Sequence, residues 1–232
     1  MSRYLTIDKA RGLAFIFMFI YHIFAIYDYS NLFNTNITSN DVLRFIGLVR
    51  NVFIILAGIS MSLSYKNNKL KNKNFYISRL NRSGEIMAHA IIISILTHIL
   101  TPDIGVKFGI LHFIALGTLI TSPLVQSESL TIIFLMASIL IKFPKINKYI
   151  DTITGARTHY GAVDWFPLNN NLPLLIFGIL LGQTIFNYEH DEKLSNNEKQ
   201  DILSWIGINA LPLYTLHFVI LCSVYFLCNS LV

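Results

Sequence analysis

Residues 7 to 22 read IDKARGLAFIFMFIYH. From Gly12 onward the run is apolar enough to begin a membrane span, yet it opens through Asp8, Lys9 and Arg11 and meets His22. On a helix, Asp8, Arg11, Phe15, Met18 and His22 recur at alternating steps of three and four, so they form one stripe. Arg11 and His22 are then separated by about 16 Å along the axis. This predicts an arginine at the cytoplasmic lip and a histidine near the bilayer middle, on the same face, with Asp8 one turn below Arg11 and able to pair with it. Lys9 reads as a basic flank. Ionisable groups inside spans are costly and usually face an interior or a water-filled cavity. His22 is therefore a candidate functional residue, the alternative being a histidine hydrogen-bonded to a neighbouring helix.

The rest of the chain agrees with a membrane setting. Of its 232 residues, 53% are hydrophobic and 13% charged, where a soluble domain would carry about 25% charged residues. The expected fold is all-α, a polytopic transmembrane helix bundle in a single domain over 1–232. Seven spans are predicted, roughly at 10–29, 44–65, 85–101, 108–125, 130–143, 172–188 and 207–230. Pro212 interrupts the last. No small-x-small cleavage site follows Phe24, so the first span reads as uncleaved. Cys222 and Cys228, six residues apart on one helix, point in different directions and do not read as a bridge.

Between the second and third spans runs YKNNKLKNKNFYISRLNR, with Lys66, Lys69, Lys71, Lys73, Arg79 and Arg82 and no acid. Cationic loops stay in the cytoplasm. That places the N-terminus inside and the 30–43 and 144–171 segments outside. Gly178 and Gly182 form a GxxxG in an apolar helix, which suits close packing. Asn36-Ile-Thr38 matches a glycosylation sequon.

Five blocks are decisive for family: the opening stretch, FIILAGISMSLSY (53–65), GILHFIAL (109–116), VDWFPLNNNLPLLIFGILLG (163–182) and INALPLYTLH (208–217). In that order they resemble the family built on the heparan-α-glucosaminide N-acetyltransferase catalytic domain. The resemblance implies a membrane acyltransferase that takes an acetyl group from cytoplasmic acetyl-CoA and delivers it to a sugar. The first block also resembles the start of the acyltransferase-3 family. There an arginine and a histidine at this same eleven-residue spacing are required, and an Arg-x-x-Arg follows on the cytoplasmic side; here Arg79-Leu-Asn-Arg82 stands in that place. The eukaryotic N-acetyltransferase carries its active histidine after the first span, but NLFNTNITSND (31–41) has none, which leaves His22 as the candidate.

Acyl transfer from a thioester needs a base for the acceptor and donors for the oxyanion. A neutral imidazole does the first at physiological pH. The expected catalytic group is His22 with Arg11 and Asp8. CoA phosphates need cations, for which Arg79, Arg82 and Lys66 are the candidates; for the lysines the alternative is topology plus attraction to anionic lipid. His112 and His217, mid-span in family-like blocks, are candidates for the acceptor or acyl site, against a satisfied core role. Asp164, beside Trp165 and Phe166, is a candidate for a sugar hydroxyl, against a cap for the helix starting near Pro167 or Pro173. Arg44 and Arg50, at the outer end of the second span, are candidates for an anionic acceptor, against neutralising Asp28 and Asp41. His159 lies in a polar loop on the acceptor side.

No metal is expected, and acetyl-CoA is the expected donor. The expected partners are acyl-CoA, a sugar, glycolipid or surface-glycan acceptor and membrane lipid, not nucleic acid, with homo-oligomerisation left open and the plasma membrane as location. Two other readings compete. A proton-coupled small-solute transporter would use Arg11, His22, His112 and His217 as a path, and a non-catalytic membrane subunit would keep the fold alone.

Overall fold

The computed structural model describes residues 4–29, 40–100, 105–156, 164–187 and 201–230. His159, His190, the sequon at Asn36 and most of the 30–43 segment lie outside them. Among the described residues the chain is all-α: α1 (Leu5–Tyr29), α2 (Asn40–Leu70), α3 (Phe75–Leu100), α4 (Ile110–Ile120), a 3-10 helix (Ser122–Gln126), α5 (Glu128–Leu140), α6 (Lys148–Thr154), α7 (Leu168–Asn187), α8 (Ile202–Ile208) and α9 (Ala210–Ser230). They fall into two compact units, one drawn from Met1–Phe53 and Asp191–Val232, the other Ile54–His190.

Among the described residues three helices are long and apolar enough to cross a membrane, Asp41–Leu70, Phe75–Leu100 and Leu168–Ile185, or four if α8 and α9, bent by 83°, make one span. α1 has 25 residues, and Asp8, Lys9 and Arg11 occupy its first two turns, ahead of the apolar run that starts at Gly12. Two of the seven expected spans, 108–125 and 130–143, come out as helices of 11 and 13 residues. At 1.5 Å per residue these reach about 16 and 20 Å, short of a hydrocarbon core of roughly 30 Å. The punctuation is local. Pro123 sits at the start of the 3-10 helix, and Ser127 caps α5, its side chain accepting from the Leu130 N–H.

The expected cationic loop over 66–82 also changes form. Its only non-helical residues are 71–74. Asn72 takes a left-handed conformation (φ 50°), and the Lys73 and Asn72 N–H groups donate back to the Asn68 and Lys69 carbonyls. That is a Schellman end for α2. Asn74 Oδ1 then accepts from the Tyr76 and Ile77 N–H groups at 3.0 and 3.2 Å, capping α3 about ten residues before the expected start of the third span. Arg79 and Arg82 are therefore helical.

In the second unit, α2 and α7 approach through small residues. A Cβ on Gly58 would meet the Leu175 carbonyl, one on Gly178 the Ile55 carbonyl, and one on Gly182 the Ser62 side chain. Ser62 Oγ donates to the Ile179 carbonyl at 2.8 Å. This is the close packing that GxxxG serves in lipid. Beneath it Met61, Phe75, Val125 and Ile179 form a core, with Tyr65 against it. Pro173 lies inside α7 and cannot donate to the Asn169 carbonyl one turn earlier. Lys142 Nζ donates to that carbonyl instead, at 3.0 Å.

The first unit holds α1, the start of α2, α8 and α9. Ala14, Met18 and Val49 form its apolar centre, with Phe17, Ile46 and Phe53 packed on it. The break before α9 falls at Asn209 rather than at Pro212. Pro212 lacks the N–H that would reach the Ile208 carbonyl, so it is tolerated only in the first turn of a new helix. α8 crosses α1 at glycines: a Cβ on Gly12 would run into the Leu203 carbonyl oxygen, and one on Gly207 into the Asp8 carbonyl oxygen. Backbone cannot yield as a flexible side chain would. Gly207→Ala is expected to destabilise the protein by about 1–3 kcal/mol, measurable as a lowered unfolding midpoint in detergent. An unchanged midpoint would mean the crossing is looser than its geometry.

Candidate active site

The stripe on α1 is its buried face. Asp8, Phe15, Met18 and His22 are each less than a tenth exposed, and Arg11 is half-buried. Arg11 Nη1 bonds Asp8 Oδ1 at 2.9 Å and donates to the Gly207 carbonyl at 3.3 Å. The guanidinium thus joins its own helix to α8 at the glycine crossing. Beside it, Lys9 Nζ lies 3.3 Å from Asp201 Oδ2, and Asp201 caps α8 by accepting from the Ser204 N–H at 2.9 Å. Hydrogen bonding with the backbone and side chain of Ser204, and then the lysine, hold the Asp201 carboxyl below its ordinary range.

Three turns further along α1, His22 meets His217 of α9. Nδ1 of His22 lies 3.0 Å from Nε2 of His217, the rings stacked with centroids 5.1 Å apart and planes 17° apart. Both are buried. His217 Nδ1 faces the Leu213 carbonyl at 3.3 Å. Phe15 and Phe19 stand edge-on to the His217 ring from α1, and Tyr214 does so from α9. Phe218 packs against both imidazoles. Tyr214 and Phe218 were not among the sequence candidates; Tyr214, at i−3 from His217 in LYTLHF, shares its side of α9, while Phe218 is its immediate neighbour in sequence. Arg50 is half-buried on α2, in the same unit.

The second unit holds the remaining candidates. A cavity of about 720 Å³ is lined by Ser62, Tyr65, Lys66, Lys69, Gln126, Glu128 and Gln183, among others. Gln183 donates to the Leu124 carbonyl at 2.9 Å, while its buried Oε1 has no partner. Of the expected donor-binding cations, Lys66 lines this cavity. Arg79 and Arg82 lie on the first two turns of α3 and are not among its lining residues. Arg79 carries a buried Nε without a partner. Arg82 is exposed and bonds Glu85 Oε2 at 2.7 Å.

Asp164 is a cap, but for a different helix than expected: its Oδ2 accepts from the Ile110 N–H at 3.0 Å, across 54 residues. Phe166 N–H donates to the Phe108 carbonyl in the same connection. His112, one turn into α4, accepts from the Gly109 N–H through Nδ1 at 3.3 Å, and its Nε2 lies 3.5 Å from Ser94 Oγ. Asp164 and His112 thus meet around the start of α4, where both serve the backbone.

A bundle of apolar helices with ionisable groups sealed on inner faces defines a membrane protein whose interior carries polar chemistry. Residues 3–219 match the family model described as heparan-alpha-glucosaminide N-acetyltransferase, catalytic, and the chain belongs to that family. The family is one of membrane-embedded acetyltransferases. No curated protein and no solved structure matches the chain.

Proposed function

We propose that this protein transfers an acetyl group from cytoplasmic acetyl-CoA to a hydroxyl or amine of a sugar, glycolipid or surface-glycan acceptor, with His22 as the base and the plasma membrane as the site of action. The observation that carries this reading is the buried His22–His217 pair at 3.0 Å, on the stripe that begins at the Asp8–Arg11 pair. The family match runs across both compact units, which supports treating the chain as one functional domain.

In the proposed reaction His22 takes the proton from the acceptor as its oxygen or nitrogen attacks the thioester carbonyl. The carbon–sulfur bond breaks, and the imidazolium returns the proton to the departing CoA sulfur. A general base and a positioned acceptor suffice for this, and no covalent acetyl-enzyme is needed. Lys66, Lys69, Arg79 and Arg82, gathered where α2 turns into α3, supply cations for the CoA phosphates. Arg79 fits best, because a buried guanidinium nitrogen without a partner is costly unless a ligand oxygen satisfies it. Arg11, with Asp8, organises the donor end of the stripe, and Arg50 is the cation offered to an anionic acceptor.

The experiment is a comparison of surface glycans and glycolipids from cells with and without the protein. Species heavier by acetyl groups are expected only in its presence. Identical profiles, with the protein produced and membrane-inserted, would count against a glycan acceptor.

A further inference from the structure

The two buried imidazoles form an ordered chain, and its far end fixes the protonation of its near end. A carbonyl oxygen only accepts hydrogen bonds. The contact of His217 Nδ1 with the Leu213 carbonyl at 3.3 Å therefore places a proton on Nδ1. In a neutral ring that leaves Nε2 of His217 bare. Nε2 faces His22 Nδ1 at 3.0 Å, and two ring nitrogens at that distance share one hydrogen. It must then sit on His22 Nδ1, leaving His22 Nε2 as the unprotonated atom.

We propose that His217 is a positioning residue that holds His22 in the Nδ1–H tautomer, so that Nε2 of His22 is the one proton-accepting atom of the pair. This rests on the reading of His22 as the base only for its catalytic consequence; the tautomer stands on geometry alone. When His22 Nε2 takes the acceptor proton, the hydrogen on Nδ1 can pass to His217 Nε2. The positive charge is then spread over two rings, and the Leu213 carbonyl continues to accept from His217 Nδ1. The reverse shift frees the Nε2 proton for the CoA sulfur. A carboxylate would orient the base with a full negative charge; a second imidazole does so as a neutral group, which suits a site sealed from water. The setting keeps both rings from turning. His217 is gripped edge-on by Phe15, Phe19 and Tyr214, and His22 is held by Phe218 at a centroid distance of 4.8 Å. Two further titratable rings, Tyr21 and Tyr214, pack against His22.

The test is nitrogen NMR of the full chain in lipid nanodiscs with ring-labelled histidine, the His22 signals being identified by their loss in His22→Gln. In the wild type His22 should show a protonated Nδ1 and a bare Nε2. In His217→Ala it should move to the Nε2–H form that free imidazole side chains prefer, and turnover should fall while acetyl-CoA affinity stays. His217→Gln, whose side-chain carbonyl can still accept from Nδ1–H, should keep the tautomer and recover part of the turnover. A wild-type His22 protonated on Nε2, or an unchanged tautomer in His217→Ala, would overturn the proposal. Wild-type turnover in His217→Ala beside an inactive His22→Gln would overturn the role of His217 and leave the base in place. Full activity of His22→Gln would instead remove the base assignment.

Discussion

Replacing His22 is expected to lower acetyl transfer by roughly a hundredfold to ten-thousandfold, the range a positioned general base contributes. Two variants separate chemistry from folding. His22→Ala removes the ring from a packed aromatic setting and leaves His217 Nε2 without its partner, a loss of about 1–3 kcal/mol in stability. His22→Gln keeps volume and a donor for that nitrogen but cannot act as a base near neutral pH. Both should lose transfer, and His22→Gln should keep a near wild-type unfolding midpoint and donor affinity. Transfer by His22→Gln close to the wild-type rate would show that the base lies elsewhere.

The second large effect concerns the donor. Arg79→Ala combined with Arg82→Ala is expected to weaken CoA binding by roughly tenfold to a hundredfold, since one charge-assisted phosphate contact contributes about 1.5–3 kcal/mol. Most of the loss should come from Arg79, whose Nε is buried without a partner. Arg82 already has Glu85 at 2.7 Å and sits in solvent. Lys71→Ala, in the exposed turn, should change little. Titration calorimetry reads these differences. Equal affinities for wild type and the double variant would make the α2–α3 turn a topology signal and shift attention to the cavity around Lys66 and Lys69.

What the sequence revealed and what it concealed follow from the range of the interactions involved. The stripe through Asp8, Arg11 and His22 was legible because helical periodicity is local, and the Asp8–Arg11 bond spans only three residues. The partnership of His22 with His217 spans 195 residues, and nothing in either segment names the other. Hydropathy placed α5 within three residues of 130–143 but not the break inside 108–125, because an apolar run has the same composition whether or not Ser122-Pro123 cuts it. The start of α3 was hidden by a similar weighting: the positive charges over 66–82 dominated, while Asn72 and Asn74, which end one helix and begin the next, are equally at home in a loop. For Asp164 the capping alternative was visible, but its target at Ile110 lies 54 residues away and had to come from the fold.

The proposed reaction is acetyl transfer by this chain with His22 as the base. Its most direct test gives purified protein in lipid vesicles acetyl-CoA labelled in the acetyl group, together with sugars, glycolipids and glycan fragments. CoA thiol release and label in the acceptors are followed side by side for wild type and His22→Gln. The expected result is release matched by label in a sugar-containing product for the wild type, and neither for His22→Gln despite intact donor binding. Equal transfer by the two proteins, or binding of acetyl-CoA by the wild type with no label reaching any acceptor, would contradict the claim.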